Sequence, residues 1–208
     1  LVTIRSRCRM LTLTTPTADS VADFLVRKHD VPAPKAALAA RASQGHIGRA
    51  KALATDEETL RRRNDVVRQP ARMRSLGAAM GAARFILDAA KEEAEALTTE
   101  LDALEKRDLD LAYGVEARGR RPREYAPALA ALEKDQKKRA KRRVLDVVDR
   151  CLMDLVSVYR DAIAVHMGAS GPLVNGEIRD DIEAIARATD PAQLLQMIDA
   201  VFTAREQM

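Results

Sequence analysis

The sequence has no tryptophan, and aromatic residues make up only 3% of it. Any core must therefore be built from Ala, Leu, Val, Ile and Met, which suits close helix-to-helix packing. There are two cysteines, Cys8 and Cys151, with no C-x-x-C spacing. That argues against both a disulfide framework and a zinc site; reduced thiols fit a cytoplasmic protein. His29, His46 and His166 are scattered, and neither H-E-x-x-H nor G-x-S-x-G occurs. No catalytic triad is supported. Also missing are a G-x-x-x-x-G-K-[ST] loop and a hydrophobic strand ending in paired acids. The chain therefore has no means of cradling a nucleotide's phosphates and magnesium by itself, and it reads as non-enzymatic. No apolar run approaches the roughly 20 residues that cross a membrane.

What is present is charge and helical periodicity. Apolar residues reach 47% and charged residues 32%, with Lys+Arg 35 nearly matched by Asp+Glu 31 for a net charge of +4. This is the composition of helices with solvated faces. The mild basic excess keeps DNA open as a partner without establishing it.

Residues 1–15 differ from the rest. Leu1 to Ile4 and Met10 to Leu13 are β-prone residues around a basic knot, Arg5-Ser6-Arg7-Cys8-Arg9. A lone strand has no ladder partners, so this piece is expected to be the end of a sheet lying upstream. It is no signal peptide. The β-like start without an initiator Met leads to the expectation of a fragment cut from a longer chain.

From Pro16 onward the spacing predicts helix. Thr17 is a cap for a helix carrying Val21, Phe24 and Leu25, and Val31-Pro32-Ala33-Pro34 breaks it. A short Ala-rich helix follows to Gln44, ended by Gly45, a natural left-handed cap. A third runs from His46 to Ala54, and Thr55 with Glu58 gives a capping-box signature for a fourth, to about Gln69. Pro70 is the boundary. Beyond it the pattern predicts helices over 72–97, 99–113 and about 127–166, with an exposed loop over 114–124. Asn175 is read as the cap of a short helix to Ala188, and Asp190-Pro191 with Gln193 as the start of the last helix.

The fold class expected is all-α. A small three- to four-helix bundle (16–69) precedes a larger helical bundle (70–208), with the residual β-like segment (1–15) in front.

Two basic features are candidates for chemistry: Ser6-Arg7-Cys8, and Gly45-His46-Ile47-Gly48-Arg49, in which glycines let another backbone or a ligand approach. Taken singly, the first is usually a solvated strand end and the second usually packing. Taken in order, they resemble the clamp-loader branch of the AAA+ ATPases: the Ser-Arg-Cys motif, a three-helix lid, a Gly-x-x-Gly-Arg segment and then a helical collar. The stretch Arg41 to Ala50 is similar to bacterial DNA polymerase III delta-prime subunits of actinobacterial type. The resemblance is specific over residues 3–9 and 41–50 and diffuse over the collar.

That resemblance implies a lid (16–69) and a collar (70–208) that assembles with other subunits in a ring. It implies that Arg7 is an arginine finger reaching the nucleotide site of an adjacent subunit, with Ser6 and Cys8 positioning its turn. A fixed guanidinium there stabilises charge on the transferring phosphoryl group. Arg49 matches the sensor-2 arginine, which contacts nucleotide in the subunit's own site, although delta-prime subunits commonly bind nucleotide poorly there. No cofactor is expected in this chain, with ATP held by neighbouring subunits. The expected partners are gamma/tau and delta subunits, with the sliding clamp and primer–template DNA reached through the complex, in the cytoplasm. Since the family usually has a further apolar helix, the collar is expected to be truncated at its C-terminal end.

The run Glu133 to Arg143 holds seven basic residues. It reads as the solvated face of a long helix, because Gln136 and Ala140 keep the core stripe running through it. The competing reading is phosphate contact, and with it the alternative that the chain is a basic helical DNA-binding protein. Aromatic residues for stacking on single strands are not evident.

Overall fold

A computed structural model describes residues 7–8, 14–115 and 122–208. Among the described residues every regular element is a helix. The β-like expectation for residues 1–6 and 9–13 lies outside them, as does Ser6. The chain forms two compact units, residues 1–61 and 62–208. The division falls before Pro70, inside a helix.

In the first unit, α1 (Ala18–His29) is capped by Thr17, whose hydroxyl accepts from the Ser20 amide at 3.2 Å. Asp30 takes a left-handed conformation at its end. The two prolines that stop α1 also start α2 (Ala33–Ser43), where Pro32 is the cap and Pro34 sits in the first turn. There the missing amide hydrogens cost nothing. α2 buries Ala36, Ala39, Ala40 and Ala42, and small residues at these positions let α1 and α3 (Ile47–Thr55) approach closely. Val21, Leu25 and Leu53 fill the space between them.

α4 (Glu57–Val67) begins differently from the capping box that Thr55 and Glu58 suggest. Thr55 is the last residue of α3, and its hydroxyl is turned back to the Lys51 carbonyl. Asp56 takes the capping role instead, accepting from the Glu58 amide at 3.0 Å and the Thr59 hydroxyl at 2.6 Å. The Thr59 hydrogen bond in particular holds the Asp56 carboxyl below its ordinary range.

In the second unit a short helix, α5 (Gln69–Arg72), carries the buried Pro70 in its first turn. Two long helices follow: α6 (Leu76–Ala112) and α7 (Tyr125–His166). α6 runs unbroken through the break expected at residues 98–99. Thr98 and Thr99 send their hydroxyls back to the Ala94 and Glu95 carbonyls, at 3.1 and 2.7 Å, so both stay inside the helix.

α6 and α7 form an antiparallel hairpin, since successive cross-helix bonds join ever earlier residues of α6 to ever later ones of α7. Tyr125 donates to Asp110 at 2.5 Å, Gln136 to the Asp102 carbonyl at 3.1 Å, and Arg150 to Glu93 at 2.5 Å. Tyr125 is buried with its ring edge-on to Tyr113, which explains why α7 starts at this residue.

A 3₁₀ turn (Gly176–Ile178), α8 (Arg179–Ala188) and α9 (Pro191–Glu206) complete the unit. α8 and α9 both pack on α7, burying Ile182, Leu194 and Ile198 against Val158 and Ala162. Asp190 caps α9, accepting from the Gln193 amide at 2.9 Å, as the Asp-Pro signal predicts.

Candidate functional site

The positions singled out by sequence fall in the first unit. Arg7 and Cys8 are adjacent and exposed in a turn, so a guanidinium at residue 7 is presented to solvent. Arg49 occupies the third position of α3, half-buried, and its amide donates to His46 Nδ1 at 3.1 Å. His46 therefore caps α3, a role the sequence pattern did not assign it.

The turn before it is tight. Gln44 and Gly45 have φ of 51° and 88°, and a Cβ on Gly45 would lie 2.2 Å from Thr15 Cγ2. Only glycine permits both that backbone and that approach. The glycine-rich segment thus locks the α2–α3 corner against residues 15–16 and places Arg49 one turn beyond it.

The second unit contains a buried polar network that no local pattern signals. Arg63, 4% exposed, donates to Glu177 Oε1 at 2.7 Å and to the Asn175 side-chain carbonyl, and its Nε lies 3.5 Å from Asp154. Asn175, fully buried, does stand at the cap position of the 3₁₀ turn before α8, but its side chain makes no capping hydrogen bond. Its amide nitrogen donates to the Asp161 carboxylate at 2.9 Å and to Ser157 Oγ at 3.0 Å. Asp161 in turn accepts the Val174 and Asn175 backbone amides. The chain leaving α7 is thereby folded back along the helix. Arg63 and the acids use each other's hydrogen bonds here, which marks a structural centre rather than an open site.

The surface features lie on the hairpin. Ala82, Ile86, Ala90, Ala94 and Thr98 form the buried line of α6, in steps of four. A second, apolar line alternates steps of four and three: Leu76, Met80, Ala83, Leu87, Ala90, Ala94, Leu97, Leu101 and Leu104, with Leu111 a further heptad on. This is a heptad pattern, the signature of a helix that meets another helix.

The two lines cross at Ala90 and Ala94. On either side of that crossing the heptad line is uncovered: Leu76, Met80, Leu97 and Leu111 are 81, 67, 60 and 73% exposed. A break at residues 98–99 splits this register; the continuous helix restores it.

Opposite Leu101 and Leu104, Arg139 of α7 reaches α6. It donates to Asp102 at 2.5 Å and to both oxygens of Glu105. These bonds, with one from Gln136, hold the Glu105 carboxyl down from 4.5 to about 2 and raise the Arg139 guanidinium above its ordinary value. Among the described residues no cluster of side chains suits a metal ion, and no helix is long and apolar enough to cross a membrane.

An all-α chain with a long hairpin, two helices packed on the end away from its turn and an uncovered heptad face is a helical scaffold. Residues 129–208, most of α7 with α8 and α9, match the family described as DNA polymerase III, delta subunit, C terminal. The likeness supports a clamp-loader-related role and covers under half of the chain. Comparison with curated proteins and with solved structures gives no match.

Proposed function

We propose that this chain is the lid and collar of a clamp-loader subunit of the delta-prime kind, which assembles with neighbouring subunits and supplies Arg7 to the nucleotide site of one of them. The observation that carries the clamp-loader part of the reading is the match of residues 129–208 to a delta-subunit family; the delta-prime kind and the role of Arg7 rest on the resemblance of residues 3–9 and 41–50. Two others support it. The uncovered heptad line of α6 has the pattern of a helix-to-helix contact with another chain, in keeping with a collar. Arg7 is exposed in its turn, as a residue acting on another chain must be.

On this reading the partners are the gamma/tau and delta subunits, with the sliding clamp and primer–template DNA reached through the assembled loader in the cytoplasm. ATP belongs to the neighbouring subunits. Arg7 is the trans-acting finger and Ser6 and Cys8 hold its turn. Arg49, in the first turns of α3, is the sensor-2 arginine, with a role toward nucleotide or toward the lid's own packing.

The test is ATP hydrolysis by a reconstituted loader carrying Arg7→Ala. Trans-acting fingers contribute roughly 10³–10⁵ in rate, so hydrolysis at the site beside this subunit should collapse while the complex still assembles. Unchanged hydrolysis would remove Arg7 from the mechanism.

A further inference from the structure

The structure sorts the seven basic residues of 134–143 into three sets. Arg143 is exposed on the Gln136 side of α7. Arg139 turns inward to Asp102 and Glu105. Lys134, Lys137, Lys138, Lys141 and Arg142 are all exposed. At about 100° per residue, these five fall within an arc of about 140° on α7, opposite the Gln136 side that meets α6. The same face is lined by Ala130 and Ala131, small and exposed, so nothing bulky stands beside the charges.

Carboxylates do little to neutralise this stripe. Asp135 lies 3.3 Å from Lys138, with both side chains well exposed. Asp146 is one turn beyond Arg142 without pairing to it. Lys134, Lys137, Lys141 and Arg142 have no carboxylate within ion-pairing distance among the described residues. Elsewhere on the hairpin several exposed cations are paired: Arg84 and Lys91 with Asp88, and Lys106 with Asp110.

We propose that this outer face of α7 is a binding site for duplex DNA, gripping its phosphates without reading sequence. Four of the five cations are lysines, a residue depleted in protein interfaces and suited to phosphate as a mobile point charge. The face has no apolar or aromatic anchor, which a protein partner would need and which single strands would stack on. A duplex carries one negative charge per 1.7 Å of axis, against 3.4 Å for one of its strands. The stripe, about 12 Å long at 1.5 Å per residue, therefore faces on the order of seven phosphates of a duplex.

The site lies on the far side of α7 from α6, whose uncovered leucines are left to another helix. It does not depend on the clamp-loader reading, because the chain alone should bind.

The experiment is fluorescence anisotropy of a labelled mixed-sequence duplex, titrated with the 208-residue chain from 50 to 200 mM salt. Changing all five residues to Gln should weaken binding at least about tenfold at low salt and flatten the log–log salt slope by about 0.9 per charge removed. The pair Lys137→Gln and Lys141→Gln should give a slope change of about 1.8. A control carrying the same loss of charge elsewhere, with Lys51, Arg84, Lys91, Arg179 and Arg187 changed to Gln, should keep most of the affinity and slope.

The proposal is overturned if the native chain does not bind, or if the stripe and control variants weaken equally. Displacement of the duplex by poly-glutamate at equal charge would reassign the face to an acidic protein. Tighter binding of oligothymidylate would reassign it to single strands.

Discussion

Arg139 of α7 and Glu105 of α6 meet as a two-pronged ion pair, one guanidinium nitrogen to each carboxylate oxygen, at 2.8 and 2.5 Å. The pair fastens the half of the hairpin next to its turn; the other half is held by α8 and α9. Without the pair, the half next to the turn would rest on Gln136, Tyr125 and a thin line of side chains.

Its pH dependence follows from the depressed Glu105 carboxyl. In the folded chain Glu105 gives up its proton near pH 2, in the unfolded chain near its ordinary 4.5. As pH falls below 4.5 the unfolded state takes up the proton first, so stability from this pair is complete above that value and lost on approaching pH 2. Urea unfolding of native chain and Glu105→Gln should differ at neutral pH and converge at about pH 2. A constant gap across that range would show that the carboxylate's charge is not what matters.

Arg63 should be costly to replace. Arg63→Met keeps the stem but leaves Asp154 and Glu177 without their buried cation, a loss of roughly 3–5 kcal/mol. Removing the polar centre as a whole is a different matter, since a buried ion pair replaced by well-packed apolar groups is often neutral. Chemical denaturation of the second unit should therefore show a large loss for Arg63→Met and a smaller one for a variant that also changes Asp154 and Glu177 to apolar residues.

Gly45→Ala tests the α2–α3 corner. The φ of 88° alone costs an alanine at least about 1 kcal/mol, and the contact with Thr15 adds to it. Adding Thr15→Ala should return the steric part and leave the backbone part. Thermal melting of the four-member cycle should show that coupling; additive effects would mean Thr15 moves aside freely.

On α6, Leu97→Glu with Leu101→Glu places charge on the uncovered heptad line. Both residues are exposed, so stability should change by no more than about 0.5 kcal/mol each. Association with gamma/tau and delta in a pull-down of the reconstituted complex should be lost. Retained association would mean the contact uses another face.

Much of the architecture could be read locally. Thr17, Asp190-Pro191 and the paired prolines at 32 and 34 mark helix ends because each acts on its own neighbours along the chain. Where the structure departs from the local pattern, two local answers competed. Thr55 and Asp56 could each cap α4, and Thr98-Thr99 could either break a helix or bond back into it. Asn175 carries a good capping side chain, yet its partners lie on α4 and α7, more than a hundred and nearly twenty residues away.

By itself, the sequence determined a helical protein: apolar spacing of three and four residues, scarce aromatics and well-placed caps leave the backbone few other ways to satisfy its hydrogen bonds. Tertiary structure alone decided which charges and leucines face outward. The direction of a side chain depends on which flank of its helix a neighbour covers. Thus Arg139 is drawn inward by Glu105 while Lys138, one residue earlier, stays in water, and the heptad line of α6 is covered only where it crosses α7.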